Sequence, residues 1–327
     1  MNTQNYIKKI FRIDTESKFN DYALQLFHYQ YKKIEIYNNY VNLICNNINE
    51  INTYYDIPFL PIELFRTKKI KAQNTKHQTI FHSSGTTNSE KSKHYIIDLE
   101  IYKKSIVTSF NSHIGKPENF VFFCLVPDST KNPHSSLSFM CNEFIIKSKY
   151  SKSGFYIGHE DEMKSAILDC QNKKEKFIVF GLSIEILKFA EKYKLPLKNG
   201  LVIETGGAKK GSQNIIKEEL YNRLKHLFKI KNIYSEYGMA ELLSQSYCTE
   251  SNYFKPPPWK KILIREKRNP LKINKNHTRG PINIIDLANV YSCGFIATND
   301  FGYTTQKGFN IVGRNQNAIA RGCNLMT

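Results

Sequence analysis

Four short strand-like runs, the first two apolar, set apart by stretches with helical spacing, limit what this chain can fold into. They are Asn119–Pro127 (NFVFFCLVP), Lys176–Gly181 (KFIVFG), Gly200–Thr205 (GLVIET) and Asn232–Tyr234. An unbroken apolar run of strand length is what a strand buried on both faces requires. Residues 160–172, Ser183–Tyr193 and about Asn214–Phe228 read as helices between or after them, with Ser183 as an N-cap. Alternating strands and helices predict an α/β fold with a largely parallel sheet, whose ligands sit at the C-terminal ends of the strands.

The flanks differ. Residues 1 to about 75 read as mostly helical, with an aromatic-rich segment (Tyr22, Phe27, Tyr29, Tyr31, Ile34, Tyr37, Tyr40) suited to a lid or a packing layer, before Ile57-Pro-Phe-Leu-Pro61 breaks the helix. Beyond Pro256-Pro-Pro258, four short strands (Ile262–Arg265, Pro281–Asp286, Cys293–Thr298, Phe309–Val312) follow one another without helices, as in a meander or small barrel. The expected organisation is a helical region over 1–75, an α/β nucleotide- and acid-binding part over 76–255, a β-rich subdomain over 256–312 and a hinge-like tail over 313–327.

Composition narrows the class of partner. An excess of 47 Lys and Arg over 29 Asp and Glu favours anionic ligands such as nucleotides, coenzyme A or acidic carrier proteins. A solvated lysine-rich surface accounts for the same numbers. No zinc-finger, recognition-helix or RNP-type pattern accompanies the charge, so nucleic acid is not expected. Seven cysteines, odd in number and without a C-x-x-C pair, argue against a disulfide framework and against a clustered zinc site. No run approaches the roughly 20 apolar residues of a membrane helix, and the N-terminus lacks an apolar signal core, which places the protein in the cytoplasm by expectation.

Chemistry concentrates in Phe81–His94 (FHSSGTTNSEKSKH), between a short strand at Thr79–Phe81 and a helix that Asp98 can cap. Hydroxyls, a glycine and backbone N–H groups in one loop offer donors to a polyanion, with Lys91 or Lys93 at the rim. The Walker A order is absent. A plain surface turn explains the loop equally well. Four further motifs follow. Glu204-Thr-Gly-Gly-Ala208 ends a strand with glycines that admit a flat ligand, or is an ordinary βα turn. In Ser235-Glu-Tyr-Gly-Met-Ala-Glu241, Tyr237 can stack on a base and Glu241 can hold a divalent metal; a buried aromatic beside a helix-start carboxylate is the alternative. Thr298-Asn-Asp300 ends a strand with a carboxylate suited to ribose hydroxyls, or initiates a turn. Gly313-Arg314 carries an arginine suited to ribose or phosphate, or merely to the surface.

The order of these five motifs resembles that of the adenylate-forming (ANL) superfamily, which includes acyl-CoA synthetases, peptide-synthetase adenylation domains and firefly luciferase. The longer stretches ETGGAKKG, IYSEYGMAELLSQSY, GPINIIDLANVYSCGFIATNDFG and GRNQNAIARGCNLM resemble the acyl-protein synthetase (LuxE-type) family within it, from about residue 75 to the end. The resemblance implies an ANL-type N-terminal adenylation domain, a parallel-sheet αβα subdomain plus a smaller β-rich one. It also implies a two-step reaction with ATP and Mg²⁺: a carboxylic acid becomes acyl-AMP, and the acyl group then passes to a thiol. Ser83, Ser84, Gly85, Thr86 and Thr87 would hold phosphates, and Lys91 falls at the loop's lysine. Gly206, Gly207 and Ala208 would line adenine with Tyr237 stacked on it; Glu241 would bind the metal, Asp300 ribose, and Arg314 ribose or phosphate.

Three departures stand out. Asn88 replaces a loop glycine, Gln316 replaces the hinge aspartate, and the sequence stops at Thr327, where the superfamily's usual C-terminal domain with its catalytic lysine would follow. Cys323 matches the region where the family carries its acyl-accepting cysteine, and Arg321 nearby favours the thiolate; an unreactive tail cysteine is the alternative. The expected acid pocket runs from Ser135 to Met140, from Gly181 onward and near Ser244. Other readings are an acyl-CoA or acyl-carrier-protein ligase, with coenzyme A or a carrier as acceptor in place of a reductase partner, and a catalytically silent nucleotide-binding subunit.

Overall fold

The computed structural model describes residues 1–84, 90–206, 217–250, 252–274 and 279–314. The chain begins with helices α1 (Thr3–Ile10), α2 (Glu16–Lys33) and α3 (Glu35–Ile44), then a two-residue strand β1 (Leu60–Pro61) and the short α4 (Leu64–Thr67). Strands β2 (Thr79–His82) and β3 (Lys93–Ile96) precede α5 (Leu99–His113). The alternating part follows as β4 (Val121–Leu125), α6 (Ser136–Lys147), β5 (Gly154–Phe155), α7 (Glu160–Asn172), β6 (Phe177–Leu182), α8 (Ser183–Tyr193), β7 (Gly200–Thr205), α9 (Lys217–Phe228), β8 (Tyr234–Tyr237) and β9 (Ser246–Cys248). The last described strands are β10 (Lys260–Ile264), β11 (Gly280–Asp286), β12 (Phe295–Thr305) and β13 (Gly308–Arg314).

Two compact units share these elements. One holds residues 106–239 and 245–254. Its six-stranded sheet runs β5-β4-β6-β7-β8-β9, parallel except for β9. The apolar runs behave as their composition demands: all five residues of β4 and five of six in β6 are buried. One sheet face (Val121, Phe123, Leu125, Phe177, Val179, Val202) packs on Met163 and Ile167 of α7, Ile186 and Phe189 of α8, and Leu220 and Leu224 of α9. Side chains of this size, each worth roughly 1.5–3 kcal/mol when buried, fix which helices cover this face. The opposite face is aromatic, with Phe122 stacked on Phe144 of α6 at 5.4 Å and Phe110 of α5 4.5 Å from Phe144.

The other unit holds residues 1–105, 240–244 and the described residues from Lys255 onward. Its five-stranded sheet follows β1-β12-β11-β10, with β13 on β12 and only β1 parallel. The aromatic N-terminal segment is a packing layer here. Tyr37 of α3 stacks on Phe295 of β12 at 6.1 Å, and the buried Gln30 amide of α2 donates to Asn289 O and Val290 O while accepting from Gly294 N. The separate pair β2–β3 belongs to this unit, where Phe81 packs edge-on against Tyr102.

Three local expectations are corrected. Ser183 does not cap α8: Leu182 is the N-cap residue and Ser183 the first helical one, and the Ser183 hydroxyl donates to the buried Glu204 carboxylate at 2.6 Å, a charge-assisted bond, rather than accepting from a backbone N–H. The strand expected at Asn232–Tyr234 is instead Tyr234–Tyr237, because pairing with both β7 and β9 carries it onward. Thr298-Asn-Asp300 lies inside β12 rather than at its end, since β12 continues to Thr305 by pairing with β13.

Candidate active site

In the unit that carries β2 and β3, the antiparallel pair brackets the Ser/Thr/Gly loop. Phe81 faces His94 and His82 faces Lys93 in register. Past the last paired residues, Ser83 N donates to Ser92 O at 3.2 Å and Ser92 N donates to the Ser83 hydroxyl at 3.0 Å, pinning the base of the loop. Ser84 follows directly and Lys91 is exposed. Gly85, Thr86, Thr87 and Asn88 lie outside the described residues.

Glu241 belongs to the same unit and is 4% exposed. Burial raises its carboxyl pKa, while a hydrogen bond from the Ser92 side chain and the charges of Arg314 and Arg66 pull it back down. Four residues that sequence reasoning missed fix the backbone around it. His94 donates through Nδ1 to Ala240 O at 2.7 Å and turns Nε2 towards Asn289 Oδ1 at 3.1 Å, and the Asn289 amide donates to Glu241 O at 3.0 Å. Asp286 accepts from Leu243 N at 2.8 Å, Ser244 N at 3.0 Å and the Ser244 hydroxyl at 2.6 Å. Lys260, itself 2% exposed, donates to Ser244 O at 2.9 Å. Buried polar groups survive only with such complete pairing. The signal in the sequence was faint: a Lys that opens β10 and an Asp that closes β11.

Asp300 of β12 and Arg314 of β13 face one another in register, and Arg314 Nε donates to Asp300 Oδ1 at 2.8 Å. The register shifts just past this pair, between Phe301 and Gly302. Gly302 is required there: a Cβ would stand 2.1 Å from Asn310 O. The bulge aims the two charged side chains at each other. The structure therefore joins Ser83 and Ser92 to Glu241 and pairs Arg314 with Asp300, with the Arg314 charge acting on Glu241.

The second unit carries the other candidates. Gly206 has φ +89°, a conformation that favours glycine, at the end of β7; Gly207 and Ala208 lie outside the described residues. Tyr237 ends β8 with its ring 5.8 Å from Phe254. Beneath them Glu204, 3% exposed, accepts from the Ser183, Tyr221 and Ser235 hydroxyls, with Lys217 Nζ 3.8 Å away. Cys323 and Gln316 lie outside the described residues. Among the described residues no group of three or more His, Cys, Asp and Glu side chains gathers to hold a metal, and no helix is long and apolar enough to cross a membrane.

Comparison with solved structures identifies the fold. An open conformation of 2-hydroxyisobutyryl-CoA ligase in complex with 2-HIB-AMP and CoA is similar at a TM-score of 0.64 and 13% identity, over 88% of this chain and 64% of that one. The ATP-bound RpMatB-BxBclM chimera B1 is similar at 0.56 and 14% identity, and ATP-bound MatB from Rhodopseudomonas palustris at 0.53 and 13%; each similarity covers 73% of this chain and 48% of the other. The chain thus spans about half the length of these two relatives. At such identities the likeness is one of fold: the αβα and β-rich parts of an ANL adenylation domain. Comparison with curated proteins gives no match. The family model for the acyl-protein synthetase LuxE matches residues 11–327. The chain belongs to the acyl-protein synthetase (LuxE) family, within the adenylate-forming superfamily.

Proposed function

We propose that the protein uses ATP to activate a carboxylic acid as acyl-AMP and then passes the acyl group to a thiol. The observation that carries this reading is the Ser83–Ser92–Glu241 contact set at the base of the loop, with the charge of the Arg314–Asp300 pair acting on Glu241, in a chain of this family. In the first step a carboxylate oxygen attacks the α-phosphorus and the bond to pyrophosphate breaks. No general base is needed, since a carboxylate is already ionised near neutral pH. Ser83, Ser84, Gly85, Thr86 and Thr87 would receive the phosphates, with Lys91 at the rim. Asp300 would accept from ribose hydroxyls and Arg314 would reach ribose or phosphate. Gly206, Gly207, Ala208 and Tyr237 would hold adenine. These residues supply donors and alignment where charge builds up.

Glu241 fits a magnesium role. A carboxylate whose ionisation is opposed by burial gains from a cation, and magnesium is commonly bound by one or two carboxylates together with substrate phosphates. When bound, the ion would offset the charge of the separating pyrophosphate.

In the second step a thiolate attacks the acyl carbonyl and AMP leaves. The family description favours a protein thiol, and Cys323 is our candidate, with a reductase or carrier protein as the onward acceptor; coenzyme A is the competing acceptor. The six cysteines among the described residues form no disulfide, which suits a reducing, cytoplasmic setting. Acid-dependent pyrophosphate release with Mg²⁺-ATP and hydroxylamine tests the first step. Intact mass before and after Cys323→Ala tests the second: an acyl adduct that persists in the variant rules Cys323 out.

A further inference from the structure

Strand β3 and the residue before it set two side chains on the segment that carries Glu241. Along this stretch the residues alternate: Lys91 and Lys93 are exposed, whereas Ser92, His94 and Ile96 are buried. Such alternation puts Ser92 and His94 on one face. They bind consecutive residues. The Ser92 side chain is hydrogen-bonded to the Glu241 carboxylate, and His94 Nδ1 donates to Ala240 O at 2.7 Å. The Asn289 amide holds the Glu241 carbonyl as well, at 3.0 Å. All of these residues belong to one compact unit.

Ser92 is itself held at its backbone. Its N–H donates to the Ser83 hydroxyl at 3.0 Å, and its carbonyl accepts from Ser83 N at 3.2 Å. One residue therefore has its main chain bound to a proposed phosphate contact and its side chain bound to the proposed metal ligand. Arg314 and Arg66 act on the same carboxylate as charges, which reach over a distance without fixing a rotamer. A hydrogen bond does fix one. Glutamate loses much side-chain freedom when it is ordered, and a partner that orders it beforehand removes that cost from binding. Carboxylates that ligate a metal are in turn hydrogen-bonded, and loss of that partner typically costs about 10–100-fold in metal affinity.

We propose that Ser92 is a positioning residue for metal-dependent ATP binding: its hydroxyl holds the Glu241 carboxylate against the base of the β2–β3 pair, so that the metal ligand and the Ser83 phosphate contact are set in one geometry before the nucleotide arrives. The inference rests on the adenylate-forming reading above, and it gives a role to a residue that has no contact with nucleotide or metal in that reading. A serine that only satisfied a buried carboxylate would matter to folding alone. A positioning serine matters to metal-dependent binding, and only while residue 241 is a carboxylate.

The test is a double-mutant cycle on the full chain. It is read by calorimetric binding of α,β-methylene-ATP, whose bridge blocks release of pyrophosphate, in excess Mg²⁺ and again in EDTA. The expected result is that Ser92→Ala weakens binding about 10–100-fold in Mg²⁺, changes it by no more than about twofold in EDTA, and adds nothing in the Glu241→Gln background. Ser92→Thr, which keeps the hydroxyl, should bind in Mg²⁺ as the wild type does. Ser92→Cys, similar in shape with a far weaker donor, should match Ser92→Ala and serves where the alanine variant does not fold. Equal losses with and without Mg²⁺, or an undiminished Ser92→Ala effect in the Glu241→Gln background, overturn the inference and leave nucleotide binding and the adenylate-forming reading standing. Wild-type binding that Mg²⁺ does not strengthen overturns the inference together with the metal role of Glu241. No binding in either condition overturns the adenylate-forming reading as well.

Discussion

Arg314 Nε donates to Asp300 Oδ1 at 2.8 Å across β12 and β13, with the Asp300 side chain 5% exposed and that of Arg314 58% exposed. A pair so open on one side contributes little to stability, about 1 kcal/mol or less. We expect Asp300→Asn and Arg314→Lys to leave the melting temperature nearly unchanged and to raise KM for ATP by roughly 10–100-fold, the value of a hydrogen bond to a charged group. Initial-rate measurements across ATP concentration check this. A large fall in melting temperature with normal KM would assign the pair to folding alone.

Glu241 separates stability from activity in the same way. Burial opposes its ionisation, so Glu241→Gln, which keeps the shape and removes the charge, should not lower stability. Activity should fall by about 10²–10³-fold if the carboxylate holds the metal at the developing charge. Raised Mg²⁺ should recover part of that loss.

Asp286 predicts the opposite pattern. Its carboxyl is wholly buried and receives three donors from the segment that carries Glu241, with Lys260 close by. Asp286→Ala strands those donors and removes the buried charge that Lys260 acts on, at a cost of roughly 3–5 kcal/mol. Urea unfolding should show the midpoint shift, and residual folded protein should lose activity because Glu241 has lost its anchor.

The hairpin at the base of the Ser/Thr/Gly loop should loosen in acid. Burial lowers the His94 pKa from 6.5 to about 4, outweighing the oxygens of Ala240 and Asn289, which favour the charged ring. The unfolded chain therefore binds a proton near pH 6.5 that the folded protein refuses until about pH 4. Stability is complete above 6.5 and falls as the pH drops between these values, with about 2 kcal/mol lost at pH 5 relative to pH 7 from this group. Denaturant midpoints across pH 4–7 should show this slope, and His94→Gln should flatten it.

Much of the scaffold was legible in the sequence because local pattern governs it. The runs at β4 and β6 are apolar throughout, which only a doubly covered strand tolerates, and α7 matched its expected span of 160–172. Other features are set by partners remote in the chain. His94 finds Ala240 and Asn289 at separations of 146 and 195 residues, and nothing near His94 announces them. β12 outran its apolar core because β13 pairs with its polar half, and Ser183, the first residue of α8, turns its hydroxyl to Glu204 because the ends of β6 and β7 lie side by side.

The most direct test of adenylation labels the acid. With a substrate acid carrying ¹⁸O in both carboxylate oxygens, Mg²⁺-ATP and hydroxylamine as acceptor, attack on the α-phosphorus transfers one labelled oxygen to AMP. Mass spectrometry of the nucleotide should then show AMP heavier by one ¹⁸O and unlabelled pyrophosphate. Label in inorganic phosphate with ADP as the nucleotide product, or unlabelled AMP, would contradict the account.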